Sequence, residues 1–146
     1  MSLRDTFLAV QHDMDAVFLE RESTIQNALL TLLSGENMLL LGPPGTGKSM
    51  LIRALALRID GASYFEKLMT SFTTQEELLG PIDLVGYADR GEYRRLSAGS
   101  LSTAHVAFLD EVWKSGSAIL NSLLTLMNER LIHEVGMPPQ RVPLLS

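Results

Sequence analysis

Residues 39–49 read LLLGPPGTGKS, and residues 42–49 satisfy the spacing G-x-x-x-x-G-K-[ST] at every fixed position. The chemistry behind that spacing is a phosphate cradle. Gly42, Gly45 and Gly47 let the backbone turn tightly and aim successive N–H groups at phosphate oxygens. Pro43, Pro44 and Thr46 complete the loop, and Met50 follows it. Lys48 is placed to reach the β- and γ-phosphates, and Ser49 to give its hydroxyl to Mg²⁺. An apolar run at 38–41 precedes the loop, as expected of a strand buried on both faces. Leu51, Ile52, Leu55 and Ile59 give the next segment a helical stripe, so the helix's positive end faces the same phosphates.

Upstream, Leu3, Phe7, Val10, Met14 and Val17 recur at helical spacing. A second helix is expected over 24–33, capped near Ser23 and stopped by Gly35, with Ile25, Leu29 and Leu32 inward. Downstream, 63–68 reads as a strand and 74–79 as a short helix opened by Thr74 and closed by Gly80. The stretch GPIDLVGYADRGEYRRLSAGS at 80–100 is rich in glycine and charge and reads as a hairpin-like insertion. A strand follows at 106–109, then a helix over 117–128 with Ile119, Leu120, Leu123, Leu124 and Met127 inside. The final LIHEVGMPPQRVPLLS reads as two short strands around a Gly-Met-Pro-Pro turn. Strands alternating with helices make this an α/β fold with a largely parallel sheet.

HVAFLDEVWKS at 105–115 ends a buried strand on Asp110 and Glu111. Ligands of parallel α/β sheets bind at the carboxyl ends of strands, so this pair and Lys48 share a site naturally. Asp110 is then the Mg²⁺ ligand and Glu111 the group that orients and polarises the attacking water. The alternative is a solvated acidic pair at a strand end, or one that stabilises a helix N-terminus.

At 146 residues the chain can hold one domain with a sizeable core. Its apolar fraction of 46% and charged fraction of 20% are ordinary for a globular protein. No apolar run approaches the ~20 residues of a membrane span, and no signal-peptide pattern opens the chain. The absence of cysteine excludes disulfides and thiolate metal sites, and a cytoplasmic location is expected. A net charge of -5 argues against nucleic acid and towards protein partners. His12, His105 and His133 have no metal-ligand spacing.

Three stretches, LLLGPPGTGKSMLIRALA, LLGPIDLVGYADRGEYRRLSAGSL and VAFLDEVWKSGSAILNSLLTLMNER, together resemble the MoxR group of AAA+ ATPases, most closely its regulatory ATPase variant A branch. The resemblance runs from Arg4 to the last residue. It implies a P-loop AAA+ core across 1–146, its mainly parallel sheet sandwiched by helices. The Walker A loop would lie at 42–49, an insertion at about 81–95, Walker B at 106–111 and a hairpin at about 131–142. It also implies ATP and Mg²⁺ as ligands, ADP as product, a homo-oligomeric (often hexameric) ring, chaperone-like remodelling, and a partner carrying a von Willebrand factor A domain.

In that family a sensor strand, an arginine finger and a helical lid come next, and the sequence is expected to stop before the sensor-1 strand. A gap in the sheet centre would follow, leaving this piece incomplete as a folding unit. Three function classes therefore stand side by side. They are an ATP-hydrolysing remodelling module, a module that binds nucleotide without turning it over, and a DNA-remodelling motor; a small-molecule kinase finds no visible acceptor site. Glu20, Arg21 and Glu22 read as a solvated cluster, although the family places residues near the adenine there. Trp113 reads as a packing residue. Arg90, Arg94 and Arg95 around Tyr93 form the one dense basic cluster, and Arg130 is either a subunit-facing cation or a helix C-terminal one.

Overall fold

A computed structural model describes residues 2–134 and 137–146. The chain divides into two compact units, Met1–Ala62 with Leu145–Ser146, and Ser63–Leu144.

Three helices build the first unit: α1 (Leu3–Asp15), α2 (Glu22–Ser34) and α3 (Lys48–Ala56). A capping box starts α1, where Ser2 Oγ accepts from the Asp5 N–H at 3.2 Å and Asp5 returns the bond at 2.9 Å. The helix ends at Asp15, before the expected stripe does. The inward register is consequently carried on by Phe18, whose N–H reaches the Met14 carbonyl at 2.9 Å, while Val17 faces solvent. α2 begins at Glu22, two residues earlier than expected, and no side chain caps it; Gly35 closes it at φ 69°. Leu51, Ile52, Leu55 and Ala56 form the buried face of α3. The helix stops at Ala56, short of the expected Ile59.

The apolar run at 38–41 is assigned to no strand, contrary to expectation. A strand exists only through its ladder, and among the described residues this run has no ladder partner. Leu39 and Leu41 stand 61% and 77% exposed.

In the second unit β1 (Tyr64–Leu68) and β2 (Val106–Asp110) pair in parallel, with Leu68 opposite Asp110. Around them lie α4 (Gln75–Leu79), α5 (Leu84–Arg90), α6 (Ser117–Glu129) and two 3-10 turns, Leu101–Thr103 and Val112–Lys114. A second sheet pairs β3 (Leu131–Ile132) with β4 (Gln140–Arg141) in antiparallel sense. The Gly-Met-Pro-Pro turn read between them includes Gly136, which lies outside the described residues. The core gathers Met69, Leu78, Leu101, Ile119, Leu123 and Leu126. Leu126 is buried and Leu124 exposed, the reverse of the expected assignment, so the buried face of α6 is narrower than the run of leucines suggested.

The insertion is helical at its centre. Asp83 caps α5 by accepting from the Gly86 N–H at 2.9 Å, and Gly91 ends it at φ 67°. Hairpin character survives only at its base, where Ile82 and Arg95 form one antiparallel bridge. The hairpin expectation missed this because Asp83 and Gly91 are start and stop signals for a single helical turn or two.

Candidate functional site

Gly47 opens α3 from the left-handed region at φ 76°, and Gly45 lies there too at φ 78°. Either position would strain any other residue. No side chain caps α3, so the orphan N–H groups of its first turn belong to Lys48, Ser49 and Met50. A Cβ built on Gly45 would meet nothing within 4 Å, and one on Gly47 only Met50 Cε at 3.8 Å. The loop's face is therefore open.

Lys48 curls back over this loop. Its Nζ donates to the Gly42 carbonyl at 3.1 Å and the Pro43 carbonyl at 3.0 Å. Thr46 Oγ1 donates to the same Pro43 carbonyl at 3.0 Å, which closes the turn from inside. Phe18, Arg21, Thr24, Leu40 and Leu41 join the loop in lining a cleft of about 190 Å³. Arg21 is exposed, as the solvated reading expects, and it also touches the loop: its Nη2 donates to the Thr46 carbonyl at 3.3 Å. Nothing in the spacing of Arg21 and Thr46 announces a contact across 25 residues.

In the second unit Asp110 ends β2, where its carbonyl accepts from the Met69 N–H at 2.9 Å. Its Oδ1 accepts from the Glu111 N–H at 3.0 Å, which fixes the carboxylate and leaves the other oxygen uncommitted by that bond. Glu111 takes φ 53° and ψ 38°, a left-handed conformation that costs a non-glycine residue about 1–2 kcal/mol. The chain then makes one 3-10 turn, in which the Lys114 N–H reaches the Glu111 carbonyl at 2.9 Å. On the same turn the Lys114 ammonium forms an ion pair with Glu111 Oε2. Trp113 is 61% exposed, so it is not the packing residue expected.

The basic cluster is internally compensated. Arg90 lies 3.6 Å from both Asp83 and Glu92, and Arg94 lies 3.2 Å from Glu92. Arg95 pairs with Glu134 and donates to the Gly80 carbonyl at 2.8 Å, so it braces the insertion's base. Arg130 occupies the left-handed cap position after α6, at φ 57°. His105 Nδ1 accepts from the Ser63 N–H at 3.1 Å, a structural use of the ring.

No described helix is long and apolar enough to cross a membrane. The family model for the MoxR domain in the MoxR-vWA-beta-propeller ternary systems matches residues 5–146. Two uncharacterized proteins of Methanocaldococcus jannaschii, MJ0079 and MJ0812, are each 46% identical to the chain over 137 residues. Those alignments cover 94% of this chain and 36% of each relative, so the chain spans about a third of their length. Structural protein ORF618 of Acidianus two-tailed virus is 28% identical over 128 residues, covering 86% of this chain and 21% of its own. A crystal structure from Cytophaga hutchinsonii, provisionally named an ATPase, superposes with a TM-score of 0.75 at 20% identity. It covers 97% of this chain and 42% of that one, and the likeness speaks for the fold alone.

Proposed function

The chain belongs to the MoxR family of AAA+ domains, and from that premise we propose that it binds ATP with Mg²⁺ and hydrolyses it to remodel a protein partner. ATP use is general to the family. The observation that carries the reading to particular residues is the open loop at 42–47 feeding the uncapped start of α3, with the Lys48 ammonium folded over its carbonyls.

A phosphate of ATP offers Lys48 and the first-turn N–H groups stronger, charged acceptors than the neutral carbonyls of Gly42 and Pro43. Pro43, Pro44, Thr46 and Met50 shape the pocket around the three glycines. Ser49 and Asp110 hold Mg²⁺, and their hydroxyl and carboxylate oxygens suit a hard cation. Among the described residues no cluster of three acids or histidines exists. A Mg²⁺ site of this type needs none, because waters and substrate phosphates complete the shell. When bound, the ion neutralises charge on the transferring phosphoryl group. Glu111 orients the attacking water and takes up its proton, and Lys48 steadies the negative charge that develops on the phosphate oxygens.

A ring of copies, hexameric in the usual AAA+ manner, and a von Willebrand factor A partner form part of this reading; the matched family's own description supports the latter. A DNA motor is disfavoured, because the insertion's arginines already face acids.

Phosphate release by the full-length protein tests the reading. Glu111→Gln is expected to cut turnover by about 10²–10⁴ while ATP still binds, the usual worth of a positioned base. Turnover unchanged in that variant would refute the assignment of Glu111.

A further inference from the structure

Resting on that reading, we propose that Met50 is an oxidation site: a hydroperoxide converts its thioether to the sulfoxide, which weakens nucleotide binding at the loop. Exposure singles this residue out. Among the described methionines, Met14 and Met69 are fully buried, and Met38, Met127 and Met137 are half-buried. Met50 stands 58% exposed. The sequence holds no cysteine, so no thiol of this stretch competes for the oxidant.

Position gives the oxidation a consequence. Gly47 opens α3, and Met50 lies on the first turn of that helix. Its Cε comes within 3.8 Å of the point where a Cβ on Gly47 would stand. The thioether therefore leans over the glycine whose left-handed backbone shapes the loop. A thioether is only a weak acceptor and leaves the first-turn N–H groups alone. A sulfoxide oxygen is a polar acceptor, on a side chain flexible enough to turn it towards the helix start. No side chain caps α3, so that oxygen would take donors that a phosphate needs.

The step balances in atoms and electrons. The sulfur lone pair attacks the terminal peroxide oxygen, an S–O bond forms and the O–O bond breaks. The proton on the attacked oxygen passes to the departing one, which leaves as water, or as an alcohol from an alkyl hydroperoxide. Sulfur is oxidised by two electrons and the peroxide is reduced by two. Methionine sulfoxide reductases reverse the change, one enzyme for each epimer at sulfur. An uncharged acceptor competes poorly with phosphate, so the loss is modest. One hydrogen bond's worth of competition corresponds to about two- to tenfold in affinity.

The test treats the full-length protein with hydrogen peroxide and maps oxidation by peptide mass spectrometry. Binding of a non-hydrolysable ATP analogue with Mg²⁺ is titrated in parallel. Met50 is expected to gain its oxygen well before Met14 and Met69, and the Kd to rise about two- to tenfold as it does. Methionine sulfoxide reductases A and B should return both readouts to their starting values. M50L, compared only with itself before and after peroxide, should keep its Kd. Oxidation of Met14 or Met69 ahead of Met50, an unchanged Kd with Met50 oxidised, or an equal rise in M50L overturns the proposal alone. An untreated protein that fails to bind the analogue, with Met50 still the first to oxidise, overturns the nucleotide reading, and the proposal with it.

Discussion

Lys48 donates to the carbonyl oxygen of Gly42 at 3.1 Å, across the glycine loop that precedes it. On the proposed reading, the cation would exchange these neutral acceptors for the charged oxygens of a phosphate. Lys48→Ala is expected to weaken ATP binding at least tenfold in a fluorescent-nucleotide titration, since charge-assisted bonds are worth roughly 1.5–3 kcal/mol. The two hydrogen bonds of Lys48 are exposed to solvent, so the unfolding free energy of that variant should move by less than about 1 kcal/mol.

Arg21 braces the same loop from α2 through the Thr46 carbonyl. The exposed bond contributes about 0.5–1 kcal/mol to holding the loop in place. Arg21→Ala should therefore raise the nucleotide Kd by about two- to fivefold and leave kcat near its wild-type value. Isothermal titration beside steady-state kinetics separates the two; a fall in kcat alone would place Arg21 in the chemistry instead.

The tight turn of the loop was legible because its motif is local, and Gly45 and Gly47 fall where the backbone is left-handed. Arg21 was not, since its partner lies 25 residues away and only the fold joins them. Lys114 was within reach of sequence reasoning: it stands three residues after Glu111, a spacing that pairs side chains once the turn is helical. The caps of α4 were readable in Thr74 and Gly80, whereas 38–41 looked like a strand from its composition alone. Hydrophobicity argues for burial, yet Leu39 and Leu41 stand exposed. It does not supply the ladder.

Arg95 and Glu134 are 11% and 9% exposed, and Arg95 also serves the Gly80 carbonyl. Removing one partner strands a buried charge. Glu134→Ala should cost about 3 kcal/mol in urea denaturation, while the paired Arg95→Met with Glu134→Leu should recover most of it. Equal losses in the single and double variants would show that packing, and not the uncompensated charge, is responsible.

Gly80 sits at φ 92°, and a Cβ there would run into the Leu96 carbonyl of the insertion's base. Gly80→Ala is expected to destabilise the second unit by about 2 kcal/mol or more, through backbone strain and overlap together. Amide exchange around 80–97 should accelerate in step with the loss.

Asp5 has its carboxyl held below the usual range, first by the Ser2 backbone N–H and then by the Ser2 hydroxyl; Glu76 is lowered similarly by its own N–H and by Thr74. A lowered folded value means stabilisation present above the unfolded value of about 3.9 for Asp, and lost as pH falls through the folded one. The first turn of α1 should therefore fray on acidification through that window, followed by NMR of the Asp5 amide. Ser2→Ala keeps the backbone N–H and removes the hydroxyl, so it should raise the Asp5 midpoint only in part; an unmoved midpoint would show that the hydroxyl contributes nothing.

The proposed convergence of Lys48, Asp110 and Glu111 on one nucleotide is tested most directly by a crystal structure of the full-length protein with a non-hydrolysable ATP analogue and Mg²⁺. The account predicts Lys48 Nζ on the β- and γ-phosphates, Asp110 and Ser49 in the metal's shell, and Glu111 facing the γ-phosphate. A nucleotide seated on the loop with both carboxylates turned away from its metal and γ-phosphate would contradict it.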